Sequence, residues 1–401
     1  MKNLKNTYSE LPKEFHRSVN PTPVSKPKFL YLNRELANEL FIDTADENKL
    51  LQYFSGNEVP GDSSTIAMAY AGHQFGNFVP QLGDGRAILL GELYDKEKKL
   101  NDIQLKGSGV TAFSRQGDGR SAIGPVIREF ILSEAMHAMN IPTTRALAAV
   151  YTGENVSREA PVKGGILTRV SNSLIRVGTF EFFRARQDLE NLKVLADFTI
   201  NRLYPKISDE ENKYLLLFEA ISEKQSTLVS KWMSIGFIHG VMNTDNFSVS
   251  GETIDYGPCA FMEAYNPDTV FSSIDRHGRY KYSNQPKIAL WNLSCLAGCL
   301  LPIIEGNESE KEEAIRESLG NFSKDINSKI NTTMTKKVGL EETKENNDLV
   351  KELLSIMHKN SADFTLTFRS LSSAIGSKDD DFLVCFSNAE EPKDWLKKWK
   401  K

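Results

Sequence analysis

The sequence predicts an α+β fold built in two parts: a small β-rich part over residues 1–172, which includes an N-terminal extension, and a larger helical part over residues 173–401. Two observations carry the prediction. Strand-like runs rich in glycine fill residues 64–120, with two more strands after one helix, and mostly helical runs follow from about Ser173. Strands gathered first and helices second describe an α+β layout, not an alternating α/β one.

The elements follow in order. Residues 1–60 are mixed and broken by proline, and are expected to wrap around a core. RAILLGEL and NDIQLKGSG read as paired strands joined by the polar turn DKEKKLN. Residues 123–140, IGPVIREFILSEAMHAMN, read as a helix with Pro125 near its start, where a missing N–H is tolerated. Its residues Phe130, Ile131 and Met139 outline the side expected to be buried. ALAAVYTG and GGILTRVS read as two more strands. LENLKVLADFTINRLY and STLVSKWMSIGFIHG read as helical, and FSVSGETIDYG as a hairpin-like piece. Beyond Leu301 the chain turns charged and helical and ends in DWLKKWKK.

Composition narrows the function classes. The net charge of −4 gives no basic field for nucleic acid or an anionic membrane surface, so neither is expected as a partner. No apolar stretch reads as long enough to span a bilayer, and MKNLKNTYSELPKEFH does not read as a secretory signal. The four cysteines, Cys259, Cys295, Cys299 and Cys385, are too few for a disulfide framework in a chain this long. Cys295 and Cys299 fall in the apolar run LWNLSCLAGCLLP and read as small core residues; no further metal ligands are evident around them. A reducing cytoplasm is the expected location.

Four segments carry chemistry. In QLGDGRAILLGE, Gly83 and Gly85 bracket Asp84, so backbone N–H groups can approach phosphate oxygens without a Cβ in the way, and Arg86 adds a charge. Gly-Asp-Gly is also ordinary hairpin chemistry. Lys106 ends a strand after Ile103 and Leu105, where kinases place the lysine that holds nucleotide phosphates; alone it would read as a solvated strand-end lysine. The following helix offers Glu129 or Glu134 as its partner, on different faces of the helix. The fourth segment runs His239-Gly-Val-Met-Asn-Thr-Asp-Asn246, then FSVSGETI, then Asp255-Tyr-Gly257.

That spacing matches a kinase catalytic loop followed by its metal-binding Asp-x-Gly. Asn246 and Asp255 then supply oxygen ligands suited to Mg2+. A polar turn explains any one of these residues but not the loop, the spacing and the Asp-Tyr-Gly together. The fold expected from the loop is therefore bilobal and protein-kinase-like, with a β-rich N-lobe and a helical C-lobe. One position departs. The kinase catalytic aspartate is replaced by Val241, which accepts no proton, and Asp245 is the carboxylate available instead. A shifted base suggests attack at a different phosphorus atom. RQGDGRSAIG supplies a second Gly-Asp-Gly turn with Asp118 and Gly119, and LTRVSNSLIRVG supplies Arg169 and Arg176, suited to phosphate clamping.

YAGHQFGNFVPQLGDGRAILLGE, LKGSGVTAFSRQGDGRSAIGP, GFIHGVMNTDN and DYGPCAFMEAY resemble the hallmark segments of the selenoprotein O (SelO) family of protein adenylyltransferases. The likeness runs from about residue 15 to 300 and more weakly to the end. It implies a kinase-like fold that binds ATP in a flipped orientation and moves AMP onto Ser, Thr or Tyr of proteins. It implies nucleotide contacts from Gly83, Gly85 and Arg86, phosphate contacts from Lys106 braced by Glu129, base or ribose contacts from Asp118 and Gly119, and distal-phosphate contacts from Arg169 and Arg176. Asp245 becomes the proton acceptor, and Asn246 and Asp255 the ligands of Mg2+, with Mn2+ as an alternative. Protein substrates and ATP are the expected partners, with the chain itself a further acceptor. Eukaryotic members carry a C-terminal selenocysteine; no Cys-x-x-Cys occurs in these 401 residues, so thiol control of that kind is not expected. Two rivals remain: a γ-phosphoryl-transferring kinase, and a nucleotide-binding pseudokinase scaffold.

Overall fold

The computed structural model describes residues 1, 3–376 and 378–401 and is an α+β protein. Among the described residues the strands are β1 (His16–Ser18), β2 (Lys28–Leu32), β3 (Ile66–Met68), β4 (Gly72–Gln74), β5 (Asn77–Val79), β6 (Ala87–Tyr94), β7 (Leu100–Lys106), β8 (Ser121–Ala122), β9 (Arg145–Val156), β10 (Val162–Ser171), β11 (Phe237–Ile238) and β12 (Ala260–Phe261). The α-helices are α1 (Arg34–Glu39), α2 (Glu47–Phe54), α3 (Ile123–Ala138), α4 (Val177–Arg184), α5 (Leu189–Leu203), α6 (Lys213–Ser234), α7 (Gln285–Leu300), α8 (Glu308–Lys337), α9 (Lys344–Lys359), α10 (Phe364–Ile375), α11 (Asp379–Leu383) and α12 (Glu390–Trp399). By contacts the chain divides into two compact units. One holds Met1–Ile221, Asn243–Gly257 and Ser294–Ile315, and the other Ser222–Met242, Pro258–Leu293 and Arg316–Lys401.

The first unit is built on one antiparallel sheet in the order β1-β3-β6-β7-β10-β9-β2, with β8 added to β10. Strand alternation makes its two faces different. Ile103 and Leu105 of β7 enter an apolar core with Leu90, Val150, Ile166 and Val170, closed by Leu36 and Leu40 of α1 and its flank and by Phe54 of α2. The alternate residues Asp102, Gln104 and Lys106 face the other way. Across the strand pair, Gln104 stands opposite Arg169 and Lys106 opposite Leu167. Helix α3 lies over that second face, packing Val126 with Ala146, Ala149 and Leu167.

In the second unit β11 pairs with β12, and the Phe237 and Phe261 rings sit 5.5 Å apart. The indole N–H of Trp395 in α12 donates to the Leu349 carbonyl of α9 at 2.8 Å, and Phe382, Trp395 and Trp399 stack in series. His239 is buried here, its ring 5.4 Å from that of Trp232 and its backbone N–H held by Gln285 Oε1.

Three sequence expectations are corrected. The buried stripe of α3 is Val126, Glu129, Ser133 and Met136, whereas Ile131 and Met139 are exposed. The stripe therefore mixes apolar residues, Val126 and Met136, with Glu129 and Ser133, and of the expected residues only Phe130 packs against its cluster, partly buried. Segment 247–257 is not a hairpin: Ser248 bridges to Arg176 and Thr253 to Thr143, so its two arms pair with other parts of the unit. Finally, Tyr282–Ile303 is a 22-residue helical run long and apolar enough, by length and composition, to cross a membrane. Half of its apolar window is buried in the fold.

Candidate active site

The second face of the sheet assembles a buried ion cluster. Lys106 Nζ donates to Glu129 Oε2 at 2.7 Å and forms a short ion pair with Asp255 Oδ1. Arg169 bridges the same two carboxylates, reaching Glu129 Oε1 and Asp255 Oδ1 at 2.5 Å each. Two cations and two anions thus compensate one another where burial alone would be costly. Burial pushes the Glu129 carboxyl up, but Arg169 and Lys106 together outweigh it and hold it below its ordinary range. Asp255 is held well below its range in the same way, by Arg169, Lys106 and Arg176 against burial. Burial pulls the Arg169 guanidinium down, and Asp255 and Glu129 more than reverse that.

Glu129 reaches Lys106 because the α3 stripe turns it inward, while Glu134 leaves the cluster to pair with Arg145 at 2.8 Å and to accept from Asn33. Asp255 adopts φ +62°, a left-handed conformation that aspartate tolerates better than most side chains. Arg128 of α3 holds the next residue, its Nε donating to the Tyr256 carbonyl at 3.1 Å.

Arg176 precedes α4 and is fully buried. Its guanidinium lies 4.4 Å over the Tyr70 ring and 3.8 Å from Asp84 Oδ1, and Nη1 donates to the Leu174 carbonyl. Its Nε is buried without a hydrogen-bond partner. Asp84 is pinned by Met68 N–H at 3.2 Å and Gln104 Nε2 at 3.0 Å, and burial raises its carboxyl against the pull of Arg176.

Asp245 sits in a single 3-10 turn, Thr244–Asn246. Burial pushes its carboxyl up to about 6; Asp255 adds to this, while Arg176 and a hydrogen bond from Gln74 oppose it. Oδ1 of Asp245 is buried without a hydrogen-bond partner. The turn is clamped by the β4–β5 hairpin. His73 N–H donates to Thr244 Oγ1 at 2.7 Å and Phe75 N–H to Asn243 Oδ1 at 3.0 Å. Thr244 Oγ1 donates to Glu181 Oε2 of α4 at 2.5 Å, and His73 Nδ1 shares a 2.6 Å hydrogen bond with Glu181 Oε1. Close approach demands glycine here: a Cβ on Gly72 would lie 2.7 Å from Asp245 Oδ1, and one on Gly178 2.2 Å from the Ala71 carbonyl oxygen.

Lys106, Glu129, Arg169 and Asp255 therefore form one cluster, and electrostatics ties Arg176 and Asp245 to its Asp255 end. Asn246 lies in the same turn as Asp245. The remaining expected residues are placed differently. The space a Cβ would take at Gly83 and Gly85 is filled by the ring and carbonyl of Phe113, and Arg86 is exposed. Asp118 pairs with Arg158 at 2.8 Å on the surface, and Gly119, at φ +65°, packs on the Gly109 backbone. Among the described residues neither shares a hydrogen bond or ion pair with the Lys106 cluster. Sequence reading passed over Tyr70, His73, Gln74, Gln104 and Glu181. Alternation along β7 already put Gln104 on the face of Lys106, so that residue was findable; the others meet the site only through tertiary packing.

The donor set suits a hard cation. Asp245, Asn246 and Asp255 offer oxygens, and both ion pairs of Asp255 use Oδ1 alone. The unpartnered Arg176 Nε and Asp245 Oδ1 are a buried donor and acceptor of the kind a phosphate and a cation or hydroxyl satisfy.

The sequence profile of a family described as "Protein adenylyltransferase SelO" matches residues 1–401. A protein from Agrobacterium fabrum described as "Protein nucleotidyltransferase YdiU" is 52% identical over 403 residues, covering 100% of this chain and 83% of its own. One of the same description from Maridesulfovibrio salexigens is 50% identical over 395 residues, covering 98% of this chain and 80% of its own. A third, from Bradyrhizobium diazoefficiens, is 52% identical over 402 residues, covering 99% and 82%. With the match running the whole length of the chain, and with a cluster that can hold phosphates and a cation beside a poised carboxylate, the protein belongs to the SelO family of protein adenylyltransferases.

Proposed function

We propose that this chain, in a bilobal protein-kinase-like fold, transfers AMP from ATP to a Ser, Thr or Tyr hydroxyl of proteins, itself included, with release of pyrophosphate. The observation that carries the reading is Asp245. It is half-buried, its carboxyl is pushed up to about 6, and one of its oxygens is unpartnered, while the kinase base position holds Val241. A carboxylate near that value is ionised at neutral pH yet basic enough to take a proton from an attacking hydroxyl.

In the proposed reaction the acceptor oxygen attacks the α-phosphorus of ATP. The bond from that phosphorus to the bridging oxygen of the β-phosphate breaks, the hydroxyl proton passes to Asp245, and pyrophosphate leaves. Lys106 and Arg176 hold the phosphates, and Arg169 keeps Asp255 and Glu129 in place. Of the two arginines expected at the distal phosphates, Arg176, which has the unpartnered buried donor, keeps that role in the proposal, and Arg169 takes the bracing one. Asn246 and Asp255 would hold Mg2+, or Mn2+, which supplies charge neutralisation at the phosphates when bound. Gly83, Gly85, Arg86, Asp118 and Gly119 remain the proposed nucleotide contacts. A cytoplasmic setting is part of the proposal, supported by four cysteines that form no disulfide. Asp245→Ala is expected to lose AMP transfer by at least about 100-fold, the usual weight of a general base, with ATP binding and melting temperature kept; full activity in that variant would sink the assignment.

A further inference from the structure

We propose that His73, Glu181 and Cys295 form a second metal site, selective for a borderline divalent cation such as Zn2+, and that its occupancy restrains the turn carrying Asp245. The sequence showed no partner ligands near Cys295; the fold brings them from β4 and α4. One donor atom from each residue lies within 4.8 Å of the others, with Glu181 buried and His73 and Cys295 half-buried.

The donor set differs in kind from that of the reaction site. Imidazole, carboxylate and thiolate are zinc ligands, whereas Asn246 and Asp255 offer oxygen alone. Zinc bonds of about 2.0–2.3 Å put tetrahedral donors about 3.3–3.8 Å apart, so the widest gap in the triad closes by about 1 Å, within reach of side-chain torsions. On binding, the ion takes the place of the proton shared by His73 Nδ1 and Glu181 Oε1, and the Cys295 thiol releases its proton to solvent. Oε2 of Glu181 stays on Thr244 Oγ1, so the ion and the turn share one carboxylate.

That sharing is the coupling. His73 and Glu181 stand 2.6 Å apart, and an ion between them must spread them by about 1 Å. Both also hold Thr244, one through its backbone N–H and the other through Oε2. Spreading them therefore moves the residue next to Asp245. The ion is predicted to slow AMP transfer without displacing ATP; this part rests on the transferase reading above, while the site itself does not.

The test uses the full chain without nucleotide and Co2+ as the probe. One Co2+ per chain is expected, with a thiolate-to-cobalt charge-transfer band that Zn2+ bleaches. Cys295→Ser should abolish the band, Cys385→Ser should keep it, and His73→Gln should weaken binding at least about ten-fold, the scale of losing even an outer-shell partner. No band, or an unchanged band in Cys295→Ser, overturns the site whatever the enzyme does. In a second arm, Zn2+ added over excess Mg2+ should slow AMP transfer by the wild-type chain and spare Cys295→Ser. Equal slowing of both would overturn the coupling and place the inhibition at the ATP–metal site.

Discussion

Asp245 is where the chemistry is tuned. Burial raises its carboxyl to about 6, and the hydrogen bond from Gln74 pulls it back down. A base must be ionised to act, so activity should rise with pH through about 6 and level off above it. Replacing Gln74 by leucine removes a polar group that favours the charged form. A kcat/KM profile of Gln74→Leu should therefore place its rising limb at higher pH than the wild type; an unmoved limb would mean that Gln74 does not act on Asp245. Arg169 answers a different question. It is buried between Glu129 and Asp255, and Arg169→Met leaves two buried carboxylates with Lys106 alone. A loss of about 3–5 kcal/mol is expected in denaturant unfolding. At this scale the sequence singled out Lys106, Glu129 and Asp255 by motif spacing and resemblance, and these three do meet in ion pairs. It was silent on Gln74, Tyr70 and Glu181, because nothing in a linear pattern says which polar side chain will meet which.

The elements explain why those side chains arrive. Strand β7 alternates a core face, Ile103 and Leu105, with a charged face, Gln104 and Lys106, and α3 turns Glu129 onto the charged one. Strands β6 and β7, their turn and the span of α3 were legible from alternation and Pro125 alone. The inner side of α3 was not, because Glu129 and Ser133 share it with Val126 and Met136 while Ile131 is exposed. Segment 247–257 was misread as a hairpin for a related reason: turn residues at its centre signal a reversal but not which strands the arms will join. The β4–β5 hairpin, α4 and the Asp245 turn meet through two glycines. Gly178→Ala would put a methyl 2.2 Å from the Ala71 carbonyl, so the hairpin must shift against Asp245. The expected result is a loss of kcat larger than any rise in KM for ATP; a variant with wild-type kcat would show that the hairpin does not position the base.

Across the whole molecule, the order of strands before helices was enough to predict an α+β chain, and the fold class stands on the sheet of β1–β3, β6–β10 and the helices that follow. The length of the apolar run Tyr282–Ile303 was missed, because polar residues scattered through it hide a helix that is long and apolar enough on average. The proposed reaction turns on one atom: the acceptor hydroxyl attacks the α-phosphorus. The most direct measurement compares ATP labelled on the α-phosphate with ATP labelled on the γ-phosphate, in the presence of Mg2+, with the chain itself and a cell lysate as acceptors. Label entering protein from the α position and not from the γ position is the predicted result. Label from the γ position alone would contradict the account and make the protein a kinase.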